Sequence, residues 1–126
     1  MVPPVFTSML TQKNISDIER IQKTVLKVLL QEDYISYTNA CNIMMTTSLE
    51  QRRENLSLKF ALSCLSNPKH THLFKQRQSH FYNIRNIRSY EEPHCISKRH
   101  YSSPIPYLTR LLNEHFKKSK SRKVIK

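Results

Sequence analysis

A chain of 126 residues has room for one modest domain, and this one contains no glycine, where average usage would supply about nine. That absence excludes a Gly-rich phosphate cradle, a dinucleotide fingerprint and a G-x-S-x-G nucleophile elbow, and it disfavours a hairpin-rich β fold, whose tight turns want glycine at positive φ. The net charge of +12 is lopsided: residues 1–65 carry seven Lys/Arg against six Asp/Glu, residues 66–126 fourteen against three, so the second half is the candidate for polyanion contact, nucleic acid first and an acidic membrane surface second.

Residues 1–10 open with Pro3-Pro4 and are expected to be extended. They lack the basic stretch and long apolar run of a signal peptide. A first helix is predicted from Thr11 or Gln12 to Leu30, with Ile15, Ile18, Ile21, Val25, Val28 and Leu29 at helical spacing. Glu19, Arg20, Lys23 and Lys27 are expected on or near the opposite side. The apolar arc, counting Leu26 and Leu30, spans about 200°, where covering one face of a core needs little more than about 100°. Burial on more than one side is therefore expected. Gln31-Glu32-Asp33 breaks the pattern, and a short helix is predicted over about Ser36–Met45.

Ser48 has the character of an N-cap, with Gln51 in the capping-box position, and a third helix follows from Leu49 to about Ser66. Asn67-Pro68 stops it, because the residue before proline is driven out of the α region. Leu49, Leu56, Phe60 and Cys64 share one face of this helix and Leu58, Ala61, Leu62 and Leu65 roughly the other. A helix apolar nearly all round is central in a larger body, so either the tail folds back or a covering surface is supplied by something else. Beyond His70 the periodicity decays. A short turn fits over Thr71–Gln76, residues 77–104 have no clear period, and Pro93, Pro104 and Pro106 punctuate them. Tyr107–Phe116 offers an amphipathic turn or two, and the basic end from Lys117 to Lys126 is expected to be disordered.

The expected fold is thus all-α: two long helices and one short one in a module of residues 11–66, then a mostly irregular basic tail with room for a short helix at 107–116. No run of about eighteen apolar residues occurs, so no membrane span is expected. Cys41, Cys64 and Cys95 are an odd set at long spacings. They are not a disulfide framework, Cys41 and Cys64 have the setting of small buried hydrophobes, and a reducing intracellular compartment is expected, with nucleus and cytoplasm not distinguished.

Candidate chemistry is sparse. His70 and His72, or His94, Cys95 and His100, lack the paired spacing of a local zinc site. No Ser/His or Cys/His pair sits in a nucleophile context. Glu32-Asp33 and Glu91-Glu92 lack the hairpin lead of a two-metal carboxylate pair. No catalytic residue, metal or cofactor is expected. Nucleic-acid contact remains. His80, Phe81, Tyr82, Arg85, Arg88 and Tyr90 interleave aromatic and basic groups, as do Lys98, Arg99, His100 and Tyr101. Rings stack on unpaired bases and guanidinium groups fork phosphates. The competing reading packs Phe81, Tyr82 and Tyr101 onto the helices and leaves the charges solvated. The candidate contacts are Arg85, Arg88, Lys98, Arg99, Lys117 and Lys118. Arg52 and Arg53 are ambiguous, since one of them lies near the apolar face of its helix and can snorkel or pair with an acid.

The stretch Asp17-Ile18-Glu19-Arg20-Ile21-Gln22-Lys23 resembles the helix that follows the polymerase core in reverse transcriptases of non-long-terminal-repeat retrotransposons, jockey-like elements in particular. The connector with Tyr34, Ile35, Ser36 and Tyr37 resembles their Tyr-centred second helix. Ser48-Leu49-Glu50-Gln51-Arg52-Arg53, followed by Leu56, Leu58 and Phe60, resembles their next helix start, and Ser103-Pro104-Ile105-Pro106-Tyr107-Leu108 their closing segment. The likeness runs over about residues 8–116, and the order and spacing of the motifs carry it. It implies a C-terminal piece of such an enzyme, a truncated copy or fragment without endonuclease, fingers, palm or double-Asp metal site, with RNA or DNA and the missing polymerase body as partners. The alternative function is a helical protein-interaction or self-association module with no nucleic-acid role. A membrane-surface peptide built on Leu108–Phe116 and the basic end is a weaker third.

Overall fold

The computed structural model describes residues 6–78 and 88–123, with side chains as far as Lys120. The fold is all-α. Helix α1 spans Gln12–Leu30, α2 Tyr37–Ile43, α3 Leu49–Ser66, α4 Lys98–Tyr101 and α5 Pro104–Lys123. Single 3-10 turns occur at Thr7–Met9, Gln31–Asp33 and Thr71–Leu73. Thr7–Met9, expected to be extended, instead turns and packs near α3 and α5.

Each of the first four helices starts on a hydroxyl cap. Thr11, Ser36, Ser48 and Ser97 accept from the backbone N–H of Asn14, Asn39, Gln51 and His100, each at 3.2 Å. A side-chain acceptor at this position satisfies one of the N–H groups that the first turn leaves without a helical partner. The helix ends are less conventional, because the chain has no glycine for left-handed positions. Gln31 (φ 46°) and Met45 (φ 52°) take them. After α2 the bonds Thr46 N–H to Cys41 O (2.8 Å) and Met45 N–H to Asn42 O (3.1 Å) form the paired closure of a Schellman end.

Two cores result. Leu26 of α1 packs on Ala40 and Cys41 of α2, with Leu30, Tyr34 and Tyr37 around them. The second joins α3 to α5: Ala61, Cys64, Phe74, Leu108 and Leu112 are buried together, edged by Leu58, Leu62, Leu65 and Phe116. The tail folds back onto α3. The mechanism is legible at its start, where Pro104 and Pro106 fall in the first turn of α5 instead of interrupting the chain. A proline there forfeits no helical hydrogen bond and its fixed φ suits the helix. Helix α5 is therefore 20 residues long, well beyond the expected 107–116, and the basic end expected to be disordered is helical as far as Lys123. Cations in a last helical turn face the negative end of the macrodipole, which favours that extension.

Three further expectations on α1 and α3 are corrected. Glu19, placed with the solvent-side charges, is buried. It falls on the line of Ile15, Gln22, Leu26 and Leu30, which faces α2 and α3. Burial of α1 on more than one side is not found: Ile21, Val25, Val28 and Leu29 are exposed, because no element of the described fold reaches that side. On α3, Cys64 joins Ala61 in the core, while Leu56 and Phe60 stay partly open.

Candidate nucleic-acid interface

The first two helical motifs are tied together by polar side chains. Glu19 Oε2 accepts from the Tyr37 hydroxyl, and Glu19 Oε1 accepts from the Glu50 N–H at 2.7 Å. Glu50 lies in the first turn of α3, so a carboxylate of α1 supplements the Ser48 cap and meets the positive end of the α3 dipole. Gln22 Nε2 donates to Thr47 O at 3.1 Å. Lys23 and Lys27 lie over the rings of Tyr37 and Tyr34, at 5.2 and 5.5 Å from their centroids. The Tyr37 hydroxyl is pushed well above its ordinary pKa of 10.0, first by burial and then by its bond to Glu19 and the charge there.

In the second half, the segment 88–92 lies against α5. Asn113 accepts from Tyr90 N–H (2.9 Å) and donates to Tyr90 O (3.1 Å), and it also donates to Glu92 Oε1 (3.3 Å). Tyr90 pairs in an isolated antiparallel bridge with Gln76, closed by Arg77 N–H to Ser89 O and Glu91 N–H to Lys75 O. The Tyr90 ring packs at 5.9 Å from that of Phe116. This Asn113 clamp was not legible in the sequence, since one asparagine in an amphipathic stretch carries no sign of a partner 23 residues away.

The six candidate contacts divide by their surroundings. Arg85 lies outside the described residues, as do His80, Phe81 and Tyr82. Arg88 is paired: its Nη1 sits 3.0 Å from Glu92 Oε2. Lys75 is likewise 3.2 Å from Glu91, so the open cleft between 75–78 and 88–92 has much of its charge neutralised internally. Lys98 and Arg99 are exposed on α4, and Lys117 and Lys118 are exposed near the end of α5. Among the described residues no ion pair reaches Lys98, Arg99, Lys118 or Lys120. These two basic groups do not form one patch. Helix α4 adjoins the start of α5, and Lys117 lies 13 residues beyond Pro104, about 20 Å along the axis at 1.5 Å per residue. Helix α5 is a ruler with cations at both ends.

Its middle is anchored. Leu108 and Leu112 are buried against α3, and Arg110 is held by Tyr101, with its guanidinium 3.7 Å from the ring centroid and Nη2 donating to Tyr101 O at 3.0 Å. Tyr101 keeps more than half its surface open. Of the ambiguous pair, Arg52 is exposed and Arg53 is buried beside the α3–α5 contact, so Arg53 acts inside the fold. Tyr107 has a raised pKa, mainly through burial, with Glu54 adding to the rise and the Arg53 and Arg110 charges opposing it. Cys41 and Cys64 are buried free thiols, and burial also pushes the Cys64 pKa up. Among the described residues no three of His, Cys, Asp and Glu gather into a metal-holding cluster, and no helix is long and apolar enough to cross a membrane. Comparison with protein-family models, curated proteins and solved structures finds no match for the chain.

Proposed function

We propose that this chain is a non-catalytic, C-terminal piece of a reverse transcriptase of the non-long-terminal-repeat type, which binds RNA or DNA with low sequence specificity. The observation that carries the binding is α5 itself: a helix fixed to the core at Leu108 and Leu112, with exposed Lys98 and Arg99 beside its start and Lys117, Lys118 and Lys120 near its end. Held apart on a rigid rod, these cations would meet phosphates along one strand, and binding would be driven by counterion release. Supporting the ancestry is the division of labour in the motifs. Glu19 of the first resembling stretch accepts from Tyr37 of the second and from Glu50 of the third, and Gln22 reaches Thr47 just before the third, so these three motifs form one physical unit.

The test uses the full chain, because a truncation at Ser66 would strip the cover from Ala61 and Cys64. Fluorescence anisotropy with single-stranded RNA is measured over a salt series for wild type, for Lys98→Ala/Arg99→Ala/Lys117→Ala/Lys118→Ala, and for Arg88→Ala. Each phosphate contact on a single strand contributes a slope of about 0.7 in log K against log salt. The quadruple variant is expected to lose roughly three units of slope and at least about tenfold in affinity. Arg88→Ala, whose charge is already paired, is expected to stay near wild type. Wild-type binding that ignores salt, or a quadruple variant that binds like wild type, would sink the proposal.

A further inference from the structure

The outer side of α1 is an apolar surface that no element of the described fold covers. Ile21, Val25, Val28 and Leu29 are 67, 50, 66 and 59% exposed, although helix residues of this kind ordinarily face a core. We propose that this side is a seam through which two copies of the chain associate.

The spacing is the first reason. Asn14, Ile18, Ile21, Val25 and Val28 alternate steps of four and three, the 3.5-residue repeat that keeps one stripe of a helix against a partner helix. A stripe of this form is complementary to itself, which a two-fold pair requires. Four of these five side chains are β-branched and stiff at χ1, so ordering them costs little entropy. The second reason is charge. A chain of net +12 would repel its copy if the cations lined the contact, and they do not. The edges of the stripe hold Gln22, Leu29, Thr24 and Asp17. Asp17 is the charged member, and Arg20 lies 3.8 Å from it. Lys23 and Lys27 are turned to the opposite side, over Tyr37 and Tyr34. Third, closing the stripe on a second copy would bury on the order of 1,000 Å² in total, about the lower limit for a specific pair. The dimer is therefore reversible, with α1 fixed in place beforehand by Leu26, Glu19 and Gln22.

Sedimentation velocity of the full chain over roughly a hundredfold range of concentration, at low and high salt, tests the seam. Wild type is expected to move from monomer to dimer with rising concentration, and to do so at least as readily in high salt, since apolar contact is not screened. Val25→Glu/Val28→Glu places acids opposite acids across the seam and is expected to raise the dissociation constant about 100-fold. Both positions are half exposed or more, so the fold tolerates the change, and unchanged circular dichroism verifies that. Ile96→Ser, which removes an isoleucine that is 92% exposed in the segment before α4, is expected to leave the dimer intact. A wild-type chain that stays monomeric throughout, a double variant that still dimerises, or a loss of the dimer in Ile96→Ser each overturns the seam. A wild-type monomer whose anisotropy still responds to RNA leaves the nucleic-acid reading standing, so the two proposals fail separately.

Discussion

Glu19 and Tyr37 show how one residue pair can hold three helices. The buried carboxylate takes the tyrosine hydroxyl on one oxygen and the Glu50 N–H on the other, so neither oxygen is left without a donor, as a buried charge requires. Because folding raises the Tyr37 pKa above 10.0, the folded state keeps this proton where the unfolded chain releases it. The contribution to stability is complete below pH 10 and fades as pH climbs above it. Melting temperatures followed from neutral to strongly alkaline pH should therefore fall more steeply for wild type than for Tyr37→Phe. Parallel curves would mean that the pair is not the source of alkaline lability. A second residue-scale effect is backbone strain. Met45 stands at φ 52° and is 94% exposed, so its side chain contributes little while its Cβ is penalised in the left-handed region. Met45→Gly should stabilise by about 0.5–1 kcal/mol, net of the flexibility that glycine adds to the unfolded chain. Thermal denaturation reads this as a rise of a few degrees in Tm, and a fall would show that Met45 packs in a way its exposure conceals.

At the scale of elements, α5 organises the second half. It packs on α3, carries the cations and clamps the segment 88–92 through Asn113. The clamp satisfies both the N–H and the C=O of Tyr90, backbone groups whose alternative partner is water. Asn113→Ala should cost about 1–2 kcal/mol, the usual order of effect when a few partly buried hydrogen bonds are lost, here the three that Asn113 makes. Hydrogen exchange should show the Tyr90 amide losing protection before the amides of α3 do. Equal protection of that amide in wild type and variant would mean that the Gln76 bridge alone holds the segment.

For the whole molecule, two surfaces of different chemistry respond differently to salt. Contact through Lys98, Arg99, Lys117 and Lys118 weakens as counterions screen it, whereas association through Ile21, Val25 and Val28 persists. High salt should therefore release RNA from the chain without separating the copies. Simultaneous loss of both in a single salt titration, followed by anisotropy and sedimentation, would show that nucleic acid itself brings the copies together and that the seam contributes nothing.

The helix boundaries of the first 66 residues were readable in advance because they are local. Thr11, Ser36 and Ser48 cap with their own hydroxyls, and proline after Asn67 ends α3 by sterics alone. Lys98, Arg99, Lys117 and Lys118 could likewise be nominated from charge density. The rest depended on residues far apart in the chain. Pro104 and Pro106 are punctuation or a helix start depending on whether Leu108 and Leu112 find Ala61 and Cys64. Glu19 is a solvated charge or a buried cap depending on where Glu50 comes to lie. Arg88 is a free cation or a spent one depending on Glu92. Sequence pattern determined which segments of the first 66 residues are helical and where the charge resides, because propensity, capping and periodicity act within a turn or two. Tertiary structure decided which apolar faces are covered and which cations remain available, because burial and pairing exist only between elements that have already met.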